Sequence, residues 1–166
     1  VTRVAIHEID ISRWLLDDEY ASAQVLSVRQ SKNTQGDWLN PQIMLLTTRS
    51  GQRIDVEVQT DGAYAYDIQC QVVGENGTVS LPDPSAVVKR AGAQCSFPIM
   101  TDWSQRFIEA YDIEFGAWAK ALLNGEPDGP SSWDGYVACV TGDALILSRQ
   151  TGKPEPIELM EKPSIY

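Results

Sequence analysis

The sequence predicts an α+β fold, in which helices pack on one face of an open, mainly antiparallel β-sheet and leave the other face available for oligomer contacts. Several segments between residues 20 and 98 alternate hydrophobic and polar residues, which is the period of a strand. After residue 103 the hydrophobic residues recur every three to four positions, which is the period of a helix. Strands that precede helices, instead of alternating with them, are typical of this fold class.

The first predicted element is an amphipathic helix over Val4–Leu16, where hydrophobic residues recur at helical spacing. Strands follow, and two pairs of them are predicted to form hairpins. One hairpin turns at Arg49–Gly51, and in the other Asn76–Gly77 is expected to supply the positive backbone angles of a tight turn. The predicted strands are Ala23–Arg29, Gln42–Thr48, Gln52–Thr60, two strands within Tyr66–Leu81, and two short strands within Ser85–Arg90 and Gln94–Ile99.

Two long helices are predicted in the last third of the sequence. The first spans Trp103–Leu123 and ends at Gly125, and its apolar stripe is predicted to pack on the sheet. Ser132 is predicted to cap the second helix, which ends at Gly152. A short strand over Pro156–Leu159 follows. The apolar stripe consists of Phe107, Tyr111, Phe115 and Trp118.

The composition argues against several classes of partner. Thirteen basic and 23 acidic residues give a net charge of -10 without any run of Lys or Arg, so neither a nucleic acid nor an anionic membrane is an expected partner. Three widely spaced cysteines argue against a disulfide framework and a zinc site, and favour a reducing, cytoplasmic setting. Because the sequence begins with Val and enters a helix at once, we expect one domain that forms the second half of a longer protein.

The histidine in the first predicted helix is a candidate proton acceptor. His7 lies in the first turn, and Asp10 follows one turn later on the same face, where a carboxylate stabilises a protonated imidazole. The alternative is a histidine that is solvated or packed at a helix end, and on residue type alone this is the more common case.

Two tyrosines are candidates for a polyol pocket. Tyr64 and Tyr66 lie two positions apart just before a predicted strand, so their side chains are expected on the same face. Their rings would pack against C–H groups while their hydroxyls form hydrogen bonds, but tyrosines at the edge of a core are an equally good interpretation.

Five segments together resemble a known family of oxidoreductases. They are HEIDISRWLL, YAYDIQCQVVGENGTVSLPDP, DWSQRFIEAYDIEF, GPSSWDGYVACVTGDA and IELMEKPSIY, and they cover nearly the whole chain in the family's order. The sequence resembles the carboxyl-terminal domain of the glucose-fructose oxidoreductase, inositol dehydrogenase and rhizopine-catabolism (Gfo/Idh/MocA) family, and within it the myo-inositol 2-dehydrogenases. HEID, YDIQC followed by VVGE, and GPSSWDGY are specific in combination, although each alone would be weak.

The resemblance implies that residues 1–166 are the substrate-binding and oligomerisation domain of an enzyme that oxidises a ring hydroxyl of myo-inositol or a related polyol to a ketone. NAD would be bound by a Rossmann domain outside this chain, no metal is implied, and the isolated chain would be inactive. The sequence itself has no GxGxxG after a strand. By the resemblance, His7 takes the proton of the substrate hydroxyl, and Asp10, Tyr66 and Tyr64 match positions that contact the polyol. A homo-oligomer, dimer or tetramer, is also implied.

Two positions depart from the family pattern. The family usually has an aspartate four residues before the histidine, where this chain has Arg3. A guanidinium cannot accept the imidazole N–H, so a different substrate such as a sugar acid, another acceptor, or non-native first residues all stay open. The family's catalytic lysine lies in an EKP signature of the Rossmann domain, whereas the copy at Glu161–Pro163 is in the tail, so Lys162 is predicted to be a surface residue.

A self-associating module that binds no substrate is the alternative from a different class. The outer face of the sheet, with Asp55, Glu57 and Gln59, would meet a second copy through polar contacts and water. A family member that acts on another sugar or a sugar acid is the third interpretation. A GxGxxG encoded upstream in a strand-to-helix turn would favour the enzyme over the module.

Overall fold

The computed structural model describes residues 4–34, 39–82, 87–126 and 128–166. The chain divides into two compact units, one formed by Val1–Asp61 with Pro130–Tyr166 and the other by Gly62–Gly129. In chain order the elements are α1 (Ile6–Leu16), β1 (Tyr20–Leu26), β2 (Gln42–Thr48), β3 (Arg53–Val58), β4 (Gln71–Gly74), β5 (Gly77–Ser80), β6 (Lys89–Ala91), β7 (Gln94–Ser96), α2 (Trp103–Arg106), α3 (Ile108–Asn124), α4 (Ser132–Thr151) and β8 (Glu155–Pro156).

The first unit contains a four-stranded sheet in the order β3-β2-β1-β8, in which each neighbouring pair is antiparallel. Ala23 pairs with Leu46, and Met44 pairs with Val56. Because residues opposite each other share a face of the sheet, the side chains of each pair lie on the same side. These inward side chains form one core with buried residues of α1 and α4. The predicted fold, an antiparallel sheet with helices on one face, is therefore confirmed.

The outer face of this sheet is more polar, as the alternating pattern of β3 predicts. Asp55 and Glu57 are exposed, whereas Val56 and Val58 between and after them are buried. The predicted hairpin of β2 and β3 is confirmed, although β1 begins at Tyr20, three residues before its predicted start.

Helix α4 runs as predicted to Gly152, which ends it with a φ of 70°. Its amino-terminal cap is Ser131, and not the predicted Ser132, which is the first helical residue. The Ser131 backbone N–H and hydroxyl both donate to the Asp134 carboxylate, at 2.6 and 2.7 Å. The carboxylate three residues after Ser131 explains why the cap lies there.

One buried hydroxyl completes the hydrogen bonding at an edge of the sheet. Strand β8 is two residues long and pairs with Ser22 and Ala23 of β1. Beyond it, the Val25 N–H donates to the Ser148 hydroxyl of α4 at 3.0 Å, and that hydroxyl donates to the Lys153 carbonyl at 2.6 Å. Ser148 is fully buried, so a helix side chain supplies the acceptor that a longer strand would have provided.

The second unit contains two separate hairpins, β4-β5 and β6-β7, together with α2 and α3. Gly74 pairs with Gly77 to close the first hairpin, which confirms that prediction. The positive φ falls on Gly77 (155°) and not on Asn76, so the turn lies one residue earlier than predicted. In the second hairpin Gly92 and Ala93 have φ values of 58° and 59°, as a tight hairpin turn requires.

The long helix predicted over Trp103–Leu123 is divided at Phe107 into α2 and α3. Helix α3 has no buried residue, and Tyr111, Phe115 and Trp118 of the predicted stripe are 45%, 64% and 58% exposed. The prediction that this stripe is buried against a sheet is therefore wrong. Within the second unit each hairpin has only two short strands, which offer too little surface to cover a helix of 17 residues.

Candidate functional site

The predicted proton acceptor lies near the start of α1. His7 is the second residue of the helix, and its side chain is exposed. Asp10, one turn later, is half-buried. Ala5 and Ile9 are buried in the core, so α1 keeps one side on the core and leaves the imidazole accessible to solvent.

An ion cluster fixes the other end of α1. The Arg13 guanidinium donates to both carboxylate oxygens of Glu19, at 2.9 and 2.8 Å, and to Asp134 at 2.6 Å. The Trp133 indole N–H donates to Glu19 at 3.1 Å. Because Glu19 precedes β1 and Asp134 lies in the first turn of α4, the cluster joins three elements of the first unit.

The members of this cluster stabilise each other's charges. The hydrogen bond from Arg13 lowers the pKa of Glu19, against the effect of burial and with help from Trp133. Burial acts to raise the pKa of Asp134, but hydrogen bonds from Ser131 and Arg13 outweigh it and lower that pKa to about 2. The hydrogen bond to Glu19 is the largest cause that raises the pKa of Arg13. All three groups are therefore ionised at neutral pH.

A buried phenol fixes α1 next to Asp10. The Tyr20 hydroxyl donates to the Ile9 carbonyl at 2.6 Å, and Tyr20 is fully buried. Burial raises the pKa of Tyr20, so the phenol stays a protonated donor. Because Ile9 lies between His7 and Asp10 in sequence, this bond holds the helical turn that carries both candidates.

Tyr64 and Tyr66 lie in the second unit, in a segment without helix or strand that precedes β4. Tyr64 is 68% exposed and its hydroxyl donates to Asp67 at 3.5 Å. Tyr66 is half-buried, and its backbone N–H donates to the Met100 carbonyl at 2.9 Å. Strand alternation, on which the expectation of a shared face depended, does not apply to this irregular segment, so the shared face stays a prediction.

The structure groups the four predicted site residues in two pairs, with His7 and Asp10 in the first unit and the two tyrosines in the second. Lys162 is exposed, as predicted, and its Nζ lies 6.0 Å from the centroid of the Trp133 ring. Arg3, on which the departure from the family pattern depends, lies outside the described residues.

Neither a metal site nor a membrane span is found in the part of the chain that the structure describes. Among those residues, no group of three or more His, Cys, Asp or Glu side chains is placed to hold a metal ion. No helix within the four described ranges has the length and the apolar character needed to cross a membrane.

The fold and the sequence together define the class of protein. A family model described as the oxidoreductase family, C-terminal alpha/beta domain, matches residues 1–159. The chain belongs to this family, and the resemblance noted in the sequence is thereby confirmed.

Several inositol dehydrogenases are similar to the chain. The inositol 2-dehydrogenase of Acidiphilium cryptum is 52% identical over 97% of this chain and 48% of its own length. That of Burkholderia ambifaria is 48% identical over 100% of this chain and 49% of its own length. The crystal structure of myo-inositol dehydrogenase from Lactobacillus casei in complex with NAD(H) and myo-inositol superimposes with a TM-score of 0.90 at 36% identity, over 98% of this chain and 49% of that one. The chain thus spans about half the length of these relatives.

Proposed function

We propose that this chain is the substrate-binding and oligomer-forming half of an NAD-dependent dehydrogenase that oxidises a ring hydroxyl of myo-inositol or a related polyol to a ketone. The proposal rests chiefly on the 52% identity to an inositol 2-dehydrogenase over 97% of the chain. An exposed histidine on a firmly anchored helix supports it. The L. casei relative, whose crystal structure contains NAD(H) and myo-inositol, supports the cofactor and the substrate class.

In the proposed reaction the reacting carbon loses a hydride and its hydroxyl loses a proton. NAD+ supplies the hydride acceptor when it is bound. His7 takes the hydroxyl proton, and its exposed imidazole has the access that this role needs. The Asp10 carboxylate accepts hydrogen bonds from neighbouring hydroxyls, while the phenols of Tyr66 and Tyr64 donate and accept them.

The proposed cofactor site lies outside this chain. The sequence has no GxGxxG between a strand and a helix, which is the usual cradle for a dinucleotide phosphate. Because the curated relatives are about twice as long as the chain, we assign the cofactor to a Rossmann domain in the rest of the parent enzyme. An upstream reading frame without that glycine pattern would contradict this assignment.

We also propose that the outer face of the first unit's sheet carries contacts between copies of the enzyme. Asp55 and Glu57 lie on that face and are exposed, and Gln59 just after β3 is exposed too. Polar interfaces of this kind associate through hydrogen bonds and water. Three free cysteines fit an enzyme that works in the reducing cytoplasm.

The decisive experiment measures NAD reduction by the full-length parent with myo-inositol, beside a His7→Ala variant and an Asp143→Asn control. Loss of a general base typically slows a reaction by about 10²–10⁴-fold, so we expect that loss in His7→Ala. Because His7 is exposed, its removal should leave the melting temperature unchanged. Asp143 is an exposed residue of α4 and should tolerate the change in both measurements.

The possible results separate the role of the residue from the function of the enzyme. Full activity in His7→Ala would contradict the role of the histidine but leave the dehydrogenase intact. No turnover of myo-inositol or any related polyol by the unmodified enzyme would contradict the function. Turnover that appears only after Arg3→Asp would mean either that the natural substrate is different, such as an anionic sugar acid, or that this copy has lost the reaction and keeps its binding and assembly roles.

A further inference from the structure

The segment that carries Tyr66 depends on partners outside itself. Residues 59–70 form neither helix nor strand, so their backbone polar groups need acceptors and donors elsewhere. Three such bonds occur at alternate residues between Tyr66 and Cys70. The Tyr66 N–H donates to the Met100 carbonyl at 2.9 Å, the Ile68 carbonyl accepts from Arg106 Nη2 at 3.1 Å, and the Cys70 carbonyl accepts from the Leu81 N–H at 2.9 Å.

Arg106 differs from the other partners because it acts through a side chain. It is the last residue of α2, a short helix whose start is fixed by Asp102, which accepts from the Ser104 N–H at 2.7 Å. The side chain is half-buried, and its Nη1 is buried without a hydrogen-bond partner among the described residues. A buried guanidinium nitrogen without a partner lowers the stability of the fold. A gain in folding stability therefore does not explain why the Arg106 side chain points inward.

We propose that Arg106 is a positioning residue for Tyr66. Its hydrogen bond to Ile68 and the Met100 bond to Tyr66 fix the backbone on either side of Asp67, and so set the point from which the phenol reaches the polyol. This inference rests on the proposed function, because it takes Tyr66 as a substrate contact. A phenol displaced from that point loses its hydrogen bond to the polyol, and the loss of one such bond weakens binding by up to about tenfold.

The expected effect is on substrate binding more than on the chemical step. Tyr66 holds a hydroxyl of the polyol before and during the reaction, and a contact made equally in both states changes KM and leaves kcat nearly constant. The proposed proton acceptor is His7, and the positioning role of Arg106 does not involve that residue.

The test is a double-mutant cycle on the full-length enzyme with myo-inositol and NAD. Arg106→Met keeps the aliphatic stem and removes every donor, and we expect KM for myo-inositol to rise about tenfold with kcat within about twofold. Arg106→Lys, which retains one charged donor, should recover part of the loss. In a Tyr66→Phe background, Arg106→Met should raise KM no further. Arg90→Met, at an exposed arginine of β6, is the matched control and should leave KM unchanged.

Hydrogen exchange gives a readout that does not depend on turnover. Arg106→Met should speed amide exchange in peptides that cover residues 64–70, and Arg90→Met should not. Unchanged exchange there, or a KM increase that persists in full in the Tyr66→Phe background, would overturn the positioning role. If Tyr66→Phe alone leaves KM unchanged in an active enzyme, the substrate contact is wrong and the inference falls with it. An unmodified enzyme that oxidises no polyol contradicts the proposed function instead, while the exchange measurement still decides whether Arg106 holds the segment.

Discussion

Replacing Arg13 with methionine removes the guanidinium donors of the ion cluster that joins α1, β1 and α4, while it keeps most of the side-chain volume. Three charge-assisted hydrogen bonds of 2.6–2.9 Å are lost. The side chains of Arg13, Glu19 and Asp134 are 14%, 22% and 25% exposed, so water reaches the two freed carboxylates only in part. We therefore expect a loss of ~3 kcal/mol in unfolding free energy, at the lower end of the range for breaking a buried pair.

The assay is urea unfolding at neutral pH, supported by thermal melting of the same samples. For a chain of this size a loss of that magnitude lowers the melting temperature by about 6–12 °C. Arg29→Met is the matched control: Arg29 is exposed, and its replacement should change the free energy of unfolding by less than about 0.5 kcal/mol.

The pH dependence of the difference tests the electrostatic origin of the effect. The folded-state pKa of Asp134 is lowered to about 2, and that of Glu19 is lowered as well. Groups with lowered pKa values contribute stability above their unfolded pKa of about 4 and lose it as the pH falls through the folded value. The difference in unfolding free energy between the unmodified protein and Arg13→Met should therefore shrink as the pH falls from about 4.5 to about 2. A gap that stays constant over this range, or a loss under about 1 kcal/mol at neutral pH, would refute the reasoning.

Two further predictions concern α4. Gly152→Ala should lower the free energy of unfolding by about 1 kcal/mol, because the φ of 70° disfavours any side chain. Gly135→Ala should raise it by a similar amount, because Gly135 is helical and an added Cβ there meets nothing within 4 Å. Equal signs for the two changes would contradict this. Ser131→Ala should cost about 1 kcal/mol through loss of the cap, and Ser132→Ala clearly less, as measured by urea unfolding. A larger loss of unfolding free energy in Ser132→Ala would show that Ser132 caps the helix, as the sequence predicted.

The sequence predicted those helices and strands that depend on patterns of neighbouring residues. Alternation of hydrophobic and polar residues placed β2 and β3, and Gly152 placed the end of α4, because a left-handed residue follows many helices. The turn between β6 and β7 could not be predicted from residue type in the same way. Ala93 adopts a left-handed conformation that alanine seldom takes, so nothing in its type indicates the turn.

The residues of the candidate site stay a prediction, and the contacts that support them were not predicted from the sequence. The histidine and Asp10 stood out by spacing and by family resemblance, while the cluster around Arg13 did not. Spacing along a helix favours a pair between Arg13 and Asp17, four residues apart. Asp17 instead leaves the helix with a φ of 48°, and the guanidinium binds Glu19 and a carboxylate 121 positions away. A pairing over that distance is fixed by the tertiary fold, which no local pattern encodes.

The two hydrogen bonds of the Ser148 hydroxyl restrict which amino acids position 148 can tolerate. It must accept from one backbone group and donate to another in the same place, a demand that only a hydroxyl-bearing side chain of small volume meets in a fully buried site. Alanine would leave the Val25 N–H and the Lys153 carbonyl without their partner, and threonine would add a methyl group to a closed space. In a saturation library, position 148 should therefore be among the least tolerant of the helix, although the proposed reaction assigns it no role.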